Sequence, residues 1–337
     1  MAARVLALFA AVVMVVGSLA VRSRLDEGGG GGGGDSGGDM RLVCASELAA
    51  VCQALDGMAE VSVEPAGVTA DRLAKEGAEG PASLDGWLVP SPWPDMVRAA
   101  RQRGGLETQL ETGPVLARSP LVLAVWPDRL GVLRQCGSGQ VTWRCWGDVA
   151  GQPASQLKPG HAGVDEAVGL ATVGAATAGF FGHPDFSRND IEANDGYRPW
   201  LAGLERALPT PTPTPGTAVR DMLLKGRAAF DAVGTTEADA GPQVAAAARP
   251  DKPDVIYPSP VATLDVVLAT VPGGRSRRLS RAVGDDGLDA LARSGWRVPN
   301  RRPADGVPAQ PELPPTNGLP DAGVLDFLRT LSKEVTR

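Results

Sequence analysis

From residue 41 onward, short apolar runs are each followed by a turn and then by a stretch of helical period. Residues 42–45 lead into 47–55, and 61–63 into 69–75. That alternation predicts an α/β sheet with parallel strands. Residues 85–90 (DGWLVP) add a third strand, and 94–101 a helix with proline in its first turn. Residues 121–125 (LVLAV) are wholly apolar, which predicts a fourth strand buried on both faces.

The middle of the chain changes character. Residues 168–181 are rich in Ala and Gly and predict a tightly packed helix, whereas 183–197 are polar and loop-like. Residues 209–215 (PTPTPTP) predict a stiff, solvated polyproline spacer. A helix over 218–230, strands at 232–234, 255–257 and 264–271, and an amphipathic helix over 279–293 stopping at Gly295 follow. Residues 299–320 are proline-rich and expected to be extended, before a closing helix over 322–335.

The N-terminus carries a different signal. Residues 5–21 contain no charge and are flanked by Arg4, Arg22 and Arg24. Such a segment is a signal peptide or a membrane anchor, assigned to residues 1–25. The two arginines that follow it and the lack of a lipobox cysteine favour an uncleaved, single-pass anchor over secretion. Residues 26–40, with seven consecutive glycines from Gly28 to Gly34, form a flexible linker. No strand precedes that run and no GK[ST] follows it, so it is not read as a phosphate loop.

Composition narrows the classes of function. The 337 residues allow two lobes with a sizeable core, and 33 basic against 39 acidic residues give a net charge of −6. That balance argues against a nucleic-acid partner, and the Arg275, Arg277, Arg278 and Arg281 group is read as a solvated helix start. Two histidines and the absence of GxSxG or HExxH argue against metal chemistry and catalysis, and no cofactor is expected. Asp190, Glu192 and Asn194 have a calcium-like spacing, but Gly196 is misplaced for a calcium loop. Four cysteines in an exported chain predict two disulfides. Of three connectivities, local pairing of Cys44 with Cys52 and Cys136 with Cys145 is expected, because Gly137-Ser138-Gly139 lets the second pair meet.

The order of segments resembles the type 2 periplasmic binding protein fold, in particular the extracellular solute-binding proteins of the molybdate-binding-like group. The residues that carry the resemblance are LVCASELAAV, VEPAGVTADRLAKE, SPWP, WGDVAG, VGLATVGAATAGFFG, DVIYPSPVATLDVVLATV and RLSRAVGDDGLDALARSGWRVP. The stretch NGLPDAGV resembles substrate-binding domains of actinobacterial membrane-anchored proteins. The resemblance implies a two-lobed α/β fold with crossover strands, preceded by a single apolar helix. Lobe 1 would combine 41–117 with 270–337, and lobe 2 would be 118–269, with the ligand between them.

Carried over by position, the ligand-binding residues would be Ser46, Thr69, Ser91 and Trp93 from lobe 1, and Thr235, Thr236 and Tyr257 from lobe 2. Hydroxyls at strand-to-helix turns suit the role, since helix N-termini present free N–H groups and a positive dipole end. Ser46 and Thr69 are also ordinary helix-capping residues. One departure stands out. Where oxyanion-binding relatives open the lobe-2 helix with a small hydroxyl residue, this chain reads Gly163-Val164-Asp165-Glu166-Ala167. A carboxylate there would repel molybdate or sulfate, which implies a neutral or cationic ligand. The function implied is a non-catalytic extracytoplasmic solute-binding protein that presents a small molecule to a membrane permease or sensor. The alternative is a membrane-anchored interaction or sensory ectodomain that keeps the fold without transport.

Overall fold

Eight strands form one curled, mixed sheet in the order β2-β1-β3-β8-β4-β6-β5, with β7 also pairing β4. They are β1 (Arg41–Ala45), β2 (Glu60–Glu64), β3 (Gly86–Pro90), β4 (Glu111–Val125), β5 (Pro159–Gly160), β6 (Ala232–Thr236), β7 (Asp254–Ile256) and β8 (Thr263–Thr270). The computed structural model describes residues 40–76, 83–107, 110–136, 139–308 and 318–336. The expected anchor at 1–25 and the linker at 26–40, except Met40, lie outside these residues. Among the described residues, no helix is long and apolar enough to cross a membrane.

The expectation of parallel strands holds at the two edges of the sheet and fails in its middle. β1 pairs β2 and β3 in parallel, and β5 pairs β6 in parallel. The pairings β3 with β8, and β4 with β8, β6 and β7, are antiparallel. Strand direction is set by where the connecting chain runs, which an apolar run does not encode.

β4 links the two parts of the sheet. Its first ten residues pair β8, while Leu121–Val125 pair β6 on one side and, over the last three, β7 on the other. Those five residues are fully buried, as their apolar run predicts. Residues 111–120 extend the strand beyond the expected start at 121. Register shifts between Thr112 and Ala117, around Gly113 and Pro114, break the alternation that would have announced them.

The helix Ala167–Phe181 is the central packing element. Every residue from Ala167 to Ala178 is buried, as expected for a helix apolar all round. Its glycines permit close approach: a Cβ at Gly174 would lie 2.7 Å from Leu325 Cδ2. The closing helix Ala322–Val335 starts as expected, with Asp321 accepting a hydrogen bond from Val324 N–H at 2.8 Å. One apolar cluster joins Trp87 and Trp93 to Leu170, Tyr197, Leu201, Leu325 and Leu328.

Two other expectations change. Residues 183–197 are not simply a loop. Ser187 and Asp190 form a reciprocal capping box that starts a helix Arg188–Ala193, and Tyr197 begins another, Tyr197–Arg206. Asp190 is thereby occupied as a cap, and no group of three or more His, Cys, Asp or Glu among the described residues could hold a metal ion. The second helix starts at Ala66, three residues before Thr69. Both local disulfides are present, Cys44–Cys52 and Cys136–Cys145, with Cα separations of 6.5 and 5.3 Å.

Candidate functional site

A cleft of about 440 Å³ lies where the turn after β1 meets the end of β6. Ser46 and Glu47 line it from the first turn, Thr235, Thr236 and Asp239 from the second, and Val168, Arg293 and Trp296 complete its walls. Three of the seven expected ligand residues, Ser46, Thr235 and Thr236, are therefore brought together.

The β6 side is held by its own hydrogen bonds. Thr236 caps the helix Glu237–Ala246 by accepting from Asp239 N–H at 3.2 Å, and Thr235 Oγ1 donates to Asp239 Oδ2 at 2.6 Å. Gln243 Nε2 donates to the other Asp239 oxygen. Burial pushes the Asp239 carboxyl up from its ordinary range, while Thr235 and Gln243 pull it back.

Opposite, Glu47 Oε1 accepts from Val168 N–H at 2.8 Å, in the first turn of the Ala167 helix. A carboxylate belongs at that positive end. Its other oxygen, Oε2, is buried without a hydrogen-bond partner. Burial, with repulsion from Glu166, lifts the Glu47 pKa to about 7 against the stabilising N–H contacts. Glu166, the residue before the helix, is itself raised by burial, with Ser46 nearby lowering it and Asp165 raising it. A Cβ on Gly169 would collide with the carbonyls of Ala162 and Gly163, so glycine there lets the chain fold back tightly at this helix end.

The other four expected residues lie elsewhere. Thr69 is one turn inside its helix, fully buried, with Oγ1 unpartnered in the core rather than at a helix N-terminus. Trp93 is also core, not a cleft wall, and the Arg329 guanidinium lies 5.4 Å from its ring centroid. Ser91 follows β3 and donates its N–H to Asp265 O at 2.7 Å, away from the cleft lining. Tyr257 donates its hydroxyl to Glu237, a buried carboxylate also held by Arg297 through Nε at 2.7 Å and Nη2 at 2.8 Å.

An ion network fixes the loop before the Ala167 helix. Arg329 donates to Asp71 Oδ1 at 2.7 Å and to Asp165 Oδ1 at 2.8 Å, and Lys333 reaches the same Asp165 oxygen at 2.6 Å. Gly67 N–H donates to Asp165 O at 2.8 Å. The Ala66–Lys75 helix, the closing helix and the 163–166 loop are thus tied at one point.

The cleft residues not singled out beforehand are Glu47, Asp239, Arg293 and Trp296. Asp239 stands three residues after Thr236, the spacing of a helix cap. Glu47 adjoins Ser46 in the same turn, an acid between two apolar runs.

No protein-family model matches the sequence, and no curated protein matches it. Solved structures do match in fold. A periplasmic thiamin binding protein superposes with TM-score 0.59 at 12% identity, over 88% of this chain and 96% of that one. The apo ferric ion-binding protein A of Pasteurella haemolytica gives 0.57 at 14%, over 88% and 97%. AfuA from Actinobacillus pleuropneumoniae, with fructose-6-phosphate bound, gives 0.55 at 13%, over 88% and 96%. The chain has the type 2 periplasmic binding protein fold. At these identities the likeness carries the fold alone, and the walls of this chain's cleft have to speak for its ligand.

Proposed function

We propose that this chain is a non-catalytic, extracytoplasmic solute-binding protein that holds a small neutral or cationic molecule in the cleft lined by Ser46, Glu47, Thr235, Thr236 and Trp296. The observation that carries this reading is the convergence of two strand-to-helix turns on one cleft, in a chain whose fold is that of periplasmic binding proteins. Lobe 1 is assigned to 41–117 with 270–337 and lobe 2 to 118–269, β4 and β8 being the crossover strands. Two disulfides suit an oxidising compartment. The partner of the loaded protein is a membrane permease or sensor, and residues 1–25 are its anchor or export signal.

Ligand charge follows from the walls. Glu47 and Asp239 face the cleft and Glu166 adjoins Ser46, against one arginine, Arg293. An oxyanion entering would have to displace Glu47 from the Val168 N–H. The molybdate-like grouping expected from the sequence is for that reason not kept. Ser46, Thr235 and Thr236 supply hydrogen bonds, and Trp296 an apolar wall. Thr69, Ser91, Trp93 and Tyr257 are outside its lining.

The test is a thermal-shift screen of the full chain against amino acids, sugars, organic cations and oxyanions. A ligand specific for the folded state raises stability by RT ln(1 + [L]/Kd). Saturable stabilisation by a neutral or cationic solute supports the reading. Strong saturable binding of molybdate or tungstate contradicts the ligand class.

A further inference from the structure

The helix Gly274–Ala282 turns a basic face to solvent. Its inner side is fixed by Leu279, which packs over Gly86 of β3 and is buried together with Ser276 and Val283. Arg277 and Arg281, four residues apart, and Arg278, three before Arg281, therefore share the outer side, with Arg275 at its edge. All four arginines are exposed. Among the described residues, Arg277 and Arg281 have no carboxylate partner.

Helix stability does not account for this cluster. Cations in the first turns oppose the helix dipole, and like charges three or four residues apart repel. The chain as a whole is acidic, with a net charge of −6, so the face stands against the general charge of the molecule. Two exposed acids lie near it. Glu111 shares a cavity with Ser280 on the flank of the helix, and Asp286 follows in the next turn, so neither lies between Arg277 and Arg281.

The helix begins where the chain enters the fold. Arg41 opens β1 and donates its N–H to Asp85 Oδ2 at 2.8 Å, while Arg275 Nη1 lies 3.7 Å from Asp85 Oδ1. Asp85 thus joins the first residue of the sheet to the first turn of the arginine helix. The segment 26–40, read from the sequence as a linker, spans at most about 50 Å when fully extended. With residues 1–25 in a bilayer, that length keeps the arginine face close to the lipid headgroups.

The chemistry of the face selects its partner. A guanidinium pairs with phosphate through two parallel N–H donors. The outer positions of the helix carry no apolar side chain, unlike the charge-depleted core of a protein–protein interface. They carry no aromatic ring on which a nucleic-acid base would stack. A surface of spread phosphate charge fits both features.

We propose that the face formed by Arg277, Arg278 and Arg281 docks the folded part of the chain on the anionic phospholipid surface of a membrane. It goes beyond the solute cleft, and it rests on the reading of residues 1–25 as an anchor for bringing that surface close. Arg41 and Ser46 stand at opposite ends of β1, so the docked chain opens its cleft away from the bilayer. That posture suits capture of a solute, and delivery follows release of the face.

The test uses the full chain with vesicles of phosphatidylcholine alone and with about 30% phosphatidylglycerol. Flotation with the neutral vesicles reads the anchor, and phenylglyoxal labelling of arginines, quantified by mass spectrometry, reads the docking. Arg277 and Arg281 should be labelled about fivefold or more slowly on the anionic vesicles, with the difference lost at about 0.5 M sodium chloride. Arg198 and Arg220, exposed on other helices, should label equally on both. Arg281→Gln should lower the protection of Arg277 and leave the urea midpoint unchanged. Glycerol 3-phosphate added to neutral vesicles should protect neither arginine. Equal labelling of Arg277 on the two vesicle types, equal protection of Arg198 and Arg220, or the same protection by glycerol 3-phosphate would each overturn the docking. A chain that fails to float with neutral vesicles overturns the anchor alone, and selective protection by added anionic vesicles then still supports the docking.

Discussion

Glu47 and Val168 lie 121 residues apart in sequence, yet the Glu47 carboxylate accepts the Val168 N–H at 2.8 Å. A side chain from the turn after β1 thus occupies the positive end of the Ala167–Phe181 helix, which is buried from Ala167 to Ala178. That contact ties the turn after β1 to the Ala167 helix beside the cleft that Glu47 and Val168 both line.

The first prediction concerns pH. The Glu47 pKa rises from its usual 4.5 to about 7, so between those values the folded chain holds a proton that the unfolded chain has released. Stability is therefore greatest below the lower value and falls as pH rises through the upper one. Glu166, Glu205 and Asp239 are shifted in the same direction. Glu47→Gln is expected to flatten part of this slope, read as midpoint of urea unfolding against pH. An unchanged slope would show that Glu47 does not titrate in this range.

Arg329 is the centre of the second. Replacing it with Ala removes the guanidinium shared by Asp71 and Asp165, leaving the 163–166 loop held by Lys333 and the Gly67 N–H. Removing one partner of a buried pair costs about 3–5 kcal/mol, and the partial exposure of both aspartates lowers the expectation to about 2–3 kcal/mol. Lys333→Ala, at the half-exposed end, should cost less than about 1 kcal/mol. Denaturant titrations of the two variants read the difference.

Trp93 separates a cleft wall from a core residue. Trp93→Ala should destabilise the chain by about 3–5 kcal/mol while leaving ligand affinity of the folded fraction nearly unchanged. Trp296→Ala should instead weaken ligand binding. Affinity loss at Trp93 without loss of stability would reverse their roles.

Each disulfide closes a short loop, and the chain-entropy account gives about 2–3 kcal/mol for each. Cys136→Ser with Cys145→Ser, and Cys44→Ser with Cys52→Ser, should each lower the unfolding free energy by about that amount. Reductant should lower the wild-type chain by about the sum.

Much of this architecture was legible in the sequence where one signal dominates. The LVLAV run gives a buried strand, and Asp321 before an amphipathic stretch gives the closing helix to the residue. Residues 111–120 were hidden because their bulges break the period, and Arg188–Ala193 because a short, exposed polar helix is marked only by its capping box. In the site, Ser46, Thr235 and Thr236 were readable because hydroxyls that open helices stand at strand ends. Thr69 and Trp93 also follow predicted strands, but a residue near a strand-to-helix turn can face the core as readily as a cleft. Glu47 and Asp239 carry no mark in the sequence, because their importance comes from what the fold packs against them.

The most direct test of the central claim is calorimetric titration of the full chain with a hit from the solute screen, repeated on Thr236→Val and Glu47→Gln. The account predicts saturable binding of a neutral or cationic solute, weakened about tenfold or more when the Thr236 hydroxyl is removed. Binding that is untouched by both substitutions, or a tight response to molybdate alone, would contradict it.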